Sequence, residues 1–125
     1  MTLPTAFLDI PLAHRALHDL SARRPENSRA AVRAAVDAGV GIEIDVQLSA
    51  DNKAMVFHDY ALERLTPERG AVRLREASAL AAIPLKGGDE GIPTLEEILD
   101  LIAGRVPLLV EFKDQDGAMG PDVGP

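Results

Sequence analysis

Glu43 and Asp45 sit two residues apart in the run Gly41–Ile42–Glu43–Ile44–Asp45–Val46–Gln47–Leu48. In an extended strand, residues two apart emerge on one face, so both carboxylates share a side while Ile42, Ile44 and Val46 take the other. Two acids on one face of an apolar strand are costly unless something positive lies between them. They are therefore either solvated or Arg-paired near a strand end, or they are oxygen ligands for a hard divalent cation. Glu111 and Lys113 repeat the spacing in Pro107–Leu108–Leu109–Val110–Glu111–Phe112–Lys113. Glu111 is a candidate third carboxylate. Lys113 is either a cation for a phosphate oxygen or the partner in an ion pair with Glu111. His14 and His58 each close a short apolar run, and two imidazoles titrating near neutrality can accept and donate protons across one phosphorus centre. Arg15, beside His14, has the fork geometry for bidentate phosphate recognition. His18 has no partner pattern and reads as a surface residue.

The elements that must position these groups alternate. Ile10–His14 reads as a first strand. Asn27 or Ser28 can cap a helix over Ala30–Ala38, with Val32, Ala35 and Val36 on one face and Gly39 ending it. Gly41–Leu48 is the second strand, and Lys53–Phe57, after the turn Ser49–Asn52, the third. Tyr60–Ile92 is irregular, with one short helix near Arg75–Leu80, and is the natural cover for a pocket. Thr94 and Glu97 form a capping box, in which each side chain satisfies a backbone N–H of the other. Behind that box Leu95, Ile98, Leu99 and Ile102 make a buried stripe closed by Gly104. Pro107–Lys113 is the fourth strand, and residues 114–125 read as a loop or frayed tail. Strands separated by helices indicate parallel βα units.

Composition narrows the function classes. A hydrophobic content of 46% with only 3% aromatics suits α/β layers built on Ala, Val, Leu and Ile. A formal net charge of −7 argues against a nucleic-acid surface, since phosphate backbones are held by Lys and Arg. The absence of Cys excludes disulfides, thiolate metal sites and Cys nucleophiles. The first ten residues make a poor signal peptide. No apolar run approaches the ~20 residues of a membrane span. A cytoplasmic location is the default expectation.

Taken together, His14–Arg15, Pro25–Glu26–Asn27–Ser28, Gly41–Val46, Val56–Phe57–His58–Asp59 with Leu62 and Arg64–Leu65–Thr66, Ile92–Glu97 and Leu109–Lys113 are similar in order and spacing to the glycerophosphodiester phosphodiesterase signature. The resemblance runs from about Leu12 to Lys113. It implies a TIM-type (β/α)8 barrel of the phospholipase-C-like phosphodiesterase group. It also implies a hydrolase of lipid and glycerol metabolism that cleaves glycerophosphodiesters to sn-glycerol 3-phosphate and an alcohol. In such an enzyme His14 and His58 would serve as general acid and base. Glu43, Asp45 and Glu111 would bind one Mg²⁺ or Ca²⁺, and Arg15 and Lys113 would contact the phosphate. Hard oxygen ligands agree with that choice of ion.

Two departures stand out. The family usually carries Gly after the His–Arg pair, where this chain has Ala16. A complete barrel takes roughly 250 residues, so residues 1–125 are expected to form the N-terminal portion of a phosphodiesterase domain, truncated to about four parallel strands. An open half-barrel exposes a strand edge and apolar faces, so the chain would self-associate, bind another chain or fold poorly. An inactive fragment that binds a cation or a partner is the alternative reading, as is a related phosphodiesterase acting on lysophospholipids.

Overall fold

In a computed structural model, residues 12–16, 18–19 and 23–113 are described. Four strands, β1 (Leu12–His14), β2 (Gly41–Leu48), β3 (Ala54–Val56) and β4 (Leu108–Phe112), form one sheet. Three α-helices, α1 (Arg29–Ala38), α2 (Ala77–Ala81) and α3 (Leu95–Ile102), and a 3-10 turn (Val72–Leu74) complete the order. The expected tail over 114–125 and the start of the first strand at Ile10–Pro11 lie outside the described residues.

β2 is the centre. β1 pairs with it in parallel over 41–43, and β4 in parallel over 42–46 on the opposite edge. β3 pairs antiparallel over 46–48, continuing the edge that β1 leaves. The expectation of four parallel strands is thus corrected to three parallel strands and one antiparallel. The reason is the link between β2 and β3. It spans only 49–53, where the Ser49 hydroxyl accepts from Lys53 N at 3.0 Å, and parallel partners need a crossover of a dozen residues or more. The parallel order β1–β2–β4, with α1 and α3 as crossovers, is a partial barrel wall that does not close.

Helix α1 starts where the Ser28 hydroxyl accepts from Ala31 N and ends at Gly39, whose φ of 71° favours glycine. The Thr94–Glu97 capping box is present at α3, with Glu97 N donating to Thr94 Oγ1 at 3.2 Å and Thr94 N to Glu97 Oε1 at 3.1 Å. The helix closes at Ala103, one residue before the expected Gly104. Ile98 and Ile102 are buried as expected, but Leu99 is 48% exposed, because the apolar stripe is narrower than four residues in eight. Arg29 ties α1 to α3 by donating to Glu97 Oε2 at 2.7 Å, and to the loop before α3 through Gly91 O at 3.1 Å.

Two cores result. The first lies between sheet and helices: Ile42, Ile44 and Val46 of β2 against Val32, Ala35, Ile98 and Ile102. Each such side chain, fully buried, contributes about 1.5–3 kcal/mol. The second lies under the segment that the sequence leaves irregular. Met55, Phe57, Leu62, Val72, Leu80, Ile83, Leu85 and Ile92 pack into one cluster, so a region poor in regular structure is nonetheless held by its own apolar interior.

Candidate active site

The sheet register assembles the acids. β2 and β4 align Asp45 with Glu111, and β1 aligns His14 with Glu43. Glu43, Asp45 and Glu111 each offer a carboxylate oxygen within 4.8 Å of the others. Glu43 is 5% exposed and Asp45 fully buried, while Glu111 is exposed. Burial of this degree removes the reading in which the two β2 acids are simply solvated at a strand end.

Each buried acid gives one oxygen to a hydrogen bond with the protein, and its other oxygen accepts none. Asp45 Oδ2 accepts from Asn27 Nδ2 at 3.1 Å, and Asp45 N donates back to Asn27 Oδ1 at 3.2 Å. Glu43 Oε1 accepts from Arg15 N at 3.0 Å. Glu43 Oε2 and Asp45 Oδ1 are buried without a hydrogen-bond partner. Lone buried carboxylate oxygens are expensive, and hard oxygen donors arranged in this way suit Mg²⁺ or Ca²⁺. Burial, with the neighbouring Asp45 charge, pushes the Glu43 carboxyl above its ordinary value of 4.5 against the opposing Arg15 N–H. Two cations partly balance the acids. Lys113 Nζ lies 3.6 Å from Asp45 Oδ1 and 3.3 Å from Glu111 Oε1, so the ion-pair reading of Lys113 holds in this state. Arg15 Nε lies 3.7 Å from Asp45 Oδ2.

The histidines approach from different elements. His14 ends β1 with its side chain 66% exposed and Nε2 3.6 Å from Glu43 Oε1. His58 follows β3, and Arg15 Nη2 meets its Nε2 at 2.9 Å. Arg15 therefore joins the acid cluster to the second imidazole. It does so from a strained turn: Arg15 has φ 55° and Ala16 φ 63°, and Ala16 N donates to Glu43 O at 2.9 Å. The conformation that favours Gly is kept although the residue is Ala. Ala16 is 2% exposed and packs in the first core, which leaves the loop little room to relax.

All seven residues expected from the sequence thus converge. Four neighbours carry no catalytic or binding role in the sequence reading: Glu26, Asn27, Asp59 and Arg64, of which Asn27 reads only as a possible helix cap. Asn27 holds Asp45 from a left-handed backbone position (φ 59°), a conformation Asn tolerates. Arg64 donates to both oxygens of Glu26 at 3.0 and 3.1 Å and to both of Asp59 at 2.8 and 2.9 Å. The available signal was an Arg five residues after Asp59, but its second partner, Glu26, is 38 positions away. His18 is exposed, as read from the sequence.

The family model of the glycerophosphoryl diester phosphodiesterase family matches residues 14–123. The chain belongs to this family. A glycerophosphodiester phosphodiesterase of Caldanaerobacter subterraneus is 40% identical over 101 residues, covering 74% of this chain and 41% of the relative. One from Bacillus altitudinis is 34% identical over 96 residues, covering 71% and 39%. Among solved structures, an Oleispira antarctica phosphodiesterase in complex with the product sn-glycerol-3-phosphate superposes with a TM-score of 0.76 at 31% identity, over 90% of this chain and 48% of that one. A glycerophosphodiester phosphodiesterase from Thermotoga maritima gives 0.70 at 34% identity, over 87% and 46%. The chain therefore spans less than half the length of these relatives, and the unclosed sheet is part of their TIM-type barrel.

Proposed function

We propose that the chain carries the cation- and phosphate-binding part of a phosphodiesterase that hydrolyses glycerophosphodiesters to sn-glycerol 3-phosphate and an alcohol, and that residues 12–113 are the N-terminal portion of its barrel. The observation that carries this reading is the convergence of three carboxylates within 4.8 Å, two of which keep a buried oxygen without a hydrogen-bond partner. Family membership and the product-bound Oleispira antarctica relative support the substrate class.

Glu43, Asp45 and Glu111 would hold one Mg²⁺ or Ca²⁺. When bound, such an ion supplies Lewis-acid polarisation of phosphoryl oxygens. The protein's own groups do the rest. Arg15 and Lys113 present positive charge to the phosphate and orient it. One imidazole of His14 and His58 takes the proton from the neighbouring glycerol hydroxyl as its oxygen attacks phosphorus. The other gives a proton to the alcohol oxygen as the P–O bond breaks. Water then opens the cyclic phosphate, with the imidazole roles reversed. Asn27 keeps Asp45 aimed at the cluster by donating to Oδ2.

A second reading keeps the three-carboxylate cluster as a cation site and assigns it no turnover. On that reading the outer edges of β1 and β4 would serve to add a second copy or further barrel strands. Release of sn-glycerol 3-phosphate from glycerophosphocholine, with Mg²⁺ or Ca²⁺, separates the two. The full-length protein is expected to turn over and to lose turnover with chelator. No product at any cation concentration would defeat the phosphodiesterase reading. No described helix is long and apolar enough to cross a membrane.

A further inference from the structure

His58 and four other side chains close a ring. Arg15 Nη1 donates to Glu26 Oε2 at 3.3 Å, and Arg64 donates to both Glu26 oxygens. Arg64 also grips Asp59, and Asp59 Oδ1 meets His58 Nδ1 at 2.8 Å. His58 Nε2 returns to Arg15 Nη2 at 2.9 Å. Glu26 is 8% exposed, and the His58 and Asp59 side chains are part-buried.

The ring has only one consistent arrangement of protons. A guanidinium donates and never accepts, so Nε2 of His58 must offer its lone pair to Arg15. The ring hydrogen therefore sits on Nδ1 and is donated to Asp59. A second proton, on Nε2, would face the Arg15 guanidinium at hydrogen-bond distance.

We infer that Asp59 is a positioning residue that fixes the orientation and Nδ1–H tautomer of His58, with Arg64 as the brace that holds Asp59 in place. This rests on His58 serving as a proton-transfer group, and it deepens that reading by naming the reactive atom as Nε2. A phosphate that draws the Arg15 guanidinium away would uncover that nitrogen with its tautomer already set. As Nε2 accepts the proton from the attacking hydroxyl, or returns one to the leaving oxygen, Asp59 stabilises the imidazolium through Nδ1–H. Asn cannot replace Asp59 here. Both carboxylate oxygens accept from Arg64 and one of them also accepts from His58, so an amide group would turn its NH₂ against one donor in either orientation.

The test combines two readouts on the full-length protein. Long-range ¹H–¹⁵N imidazole spectra, with His58→Gln identifying the His58 signals, are expected to show Nδ1 protonated and Nε2 bare in the unsubstituted protein at neutral pH. Steady-state kinetics on glycerophosphocholine are expected to show Asp59→Asn lowering kcat by about 10²-fold with KM close to the original. Arg64→Ala should lower kcat in the same sense, and Arg64→Lys should recover part of it. A proton on Nε2 at rest overturns the inference whether or not the protein turns over. Unchanged kcat in Asp59→Asn, in protein whose unfolding midpoint matches the parent, overturns it as well. An unsubstituted protein without turnover would strike the phosphodiesterase reading instead, while the spectra still decide the tautomer.

Discussion

The sheet and the segment 57–92 solve the same problem in opposite ways. On β2 and β4 the charged groups are placed by register: Asp45 aligns with Glu111, and Glu43 precedes Asp45 by two residues. Their oxygens are left underbonded, and the cluster is poised to take something from outside. Around His58 the charged groups are placed by one another. Arg64 spans Glu26 and Asp59, Asp59 holds His58, and all four carboxylate oxygens of the ring accept a hydrogen bond. A strand ladder fixes where a side chain starts but satisfies none of its polar atoms, so it builds binding sites. The segment around His58 lacks that ladder, and its charged groups hold one another instead.

The contrast can be broken most sharply at His58. His58→Ala should lower turnover of the full-length protein by about 10²–10⁴-fold, the usual worth of a general acid or base, while leaving cation affinity unchanged in a calorimetric titration. Loss of both would mean that the ring and the acid cluster are one unit.

The loop's dependence on its own packing gives the next effect. A Cβ added at Gly91 would lie 1.9 Å from Ala81 O, so α2 and the strand-like bridge between Pro84 and Gly91 cannot both stay in place. Gly91→Ala should cost on the order of 1–3 kcal/mol, read as a lower midpoint in urea. An unchanged midpoint would show that this segment relaxes freely.

Much of the sheet side was legible in the sequence. Period-two alternation in Gly41–Leu48 and Leu108–Phe112, the Thr94–Glu97 capping box and the Gly39 helix end all follow from local chemistry. The carboxylate cluster was legible too, because strand pairing carries residues two apart to one face. The direction of β3 was readable in principle from the short link 49–53, but the alternating βα rhythm suggested a parallel strand. The ring was not legible. Glu26 and Arg64 meet across 38 residues of chain, and no period relates them. The second core escaped for a similar reason, since Leu62, Val72, Leu80, Ile83 and Leu85 lie in loops and short turns whose spacing follows neither helix nor strand.

The backbone before α1 offers a smaller effect of opposite sign. Ala16 keeps a φ of 63°, which costs an L-residue roughly 1–2 kcal/mol relative to Gly. Ala16→Gly should therefore raise stability by up to about 1 kcal/mol after the greater freedom of the unfolded glycine is subtracted. A fall in thermal midpoint would show that the Ala16 methyl group, packed in the first core, outweighs the strain.

The smallest effect distinguishes the two regions by pH. Asp59 is lowered to about 2, first by its hydrogen bonds from Arg64 and then by His58. Its contribution is complete above its ordinary value of 3.8 and is lost as pH falls towards 2. Glu43 runs the other way. Burial raises its carboxyl above 4.5, so the metal-free protein loses stability as pH rises through that raised value. Denaturant midpoints measured with chelator from pH 3 to 8 should therefore pass through a maximum, and saturating Mg²⁺ or Ca²⁺ should flatten the high-pH fall. A profile indifferent to the cation would place Glu43 outside the cation site.

The most direct measurement is a calorimetric titration of the full-length protein with Ca²⁺ and Mg²⁺, beside Asp45→Asn. One ion per chain is expected for the unsubstituted protein, with binding abolished or weakened by more than about tenfold when Asp45 can no longer offer a charged oxygen. Equal affinity in both proteins, or no binding in either, would contradict a shared cation site on Glu43, Asp45 and Glu111.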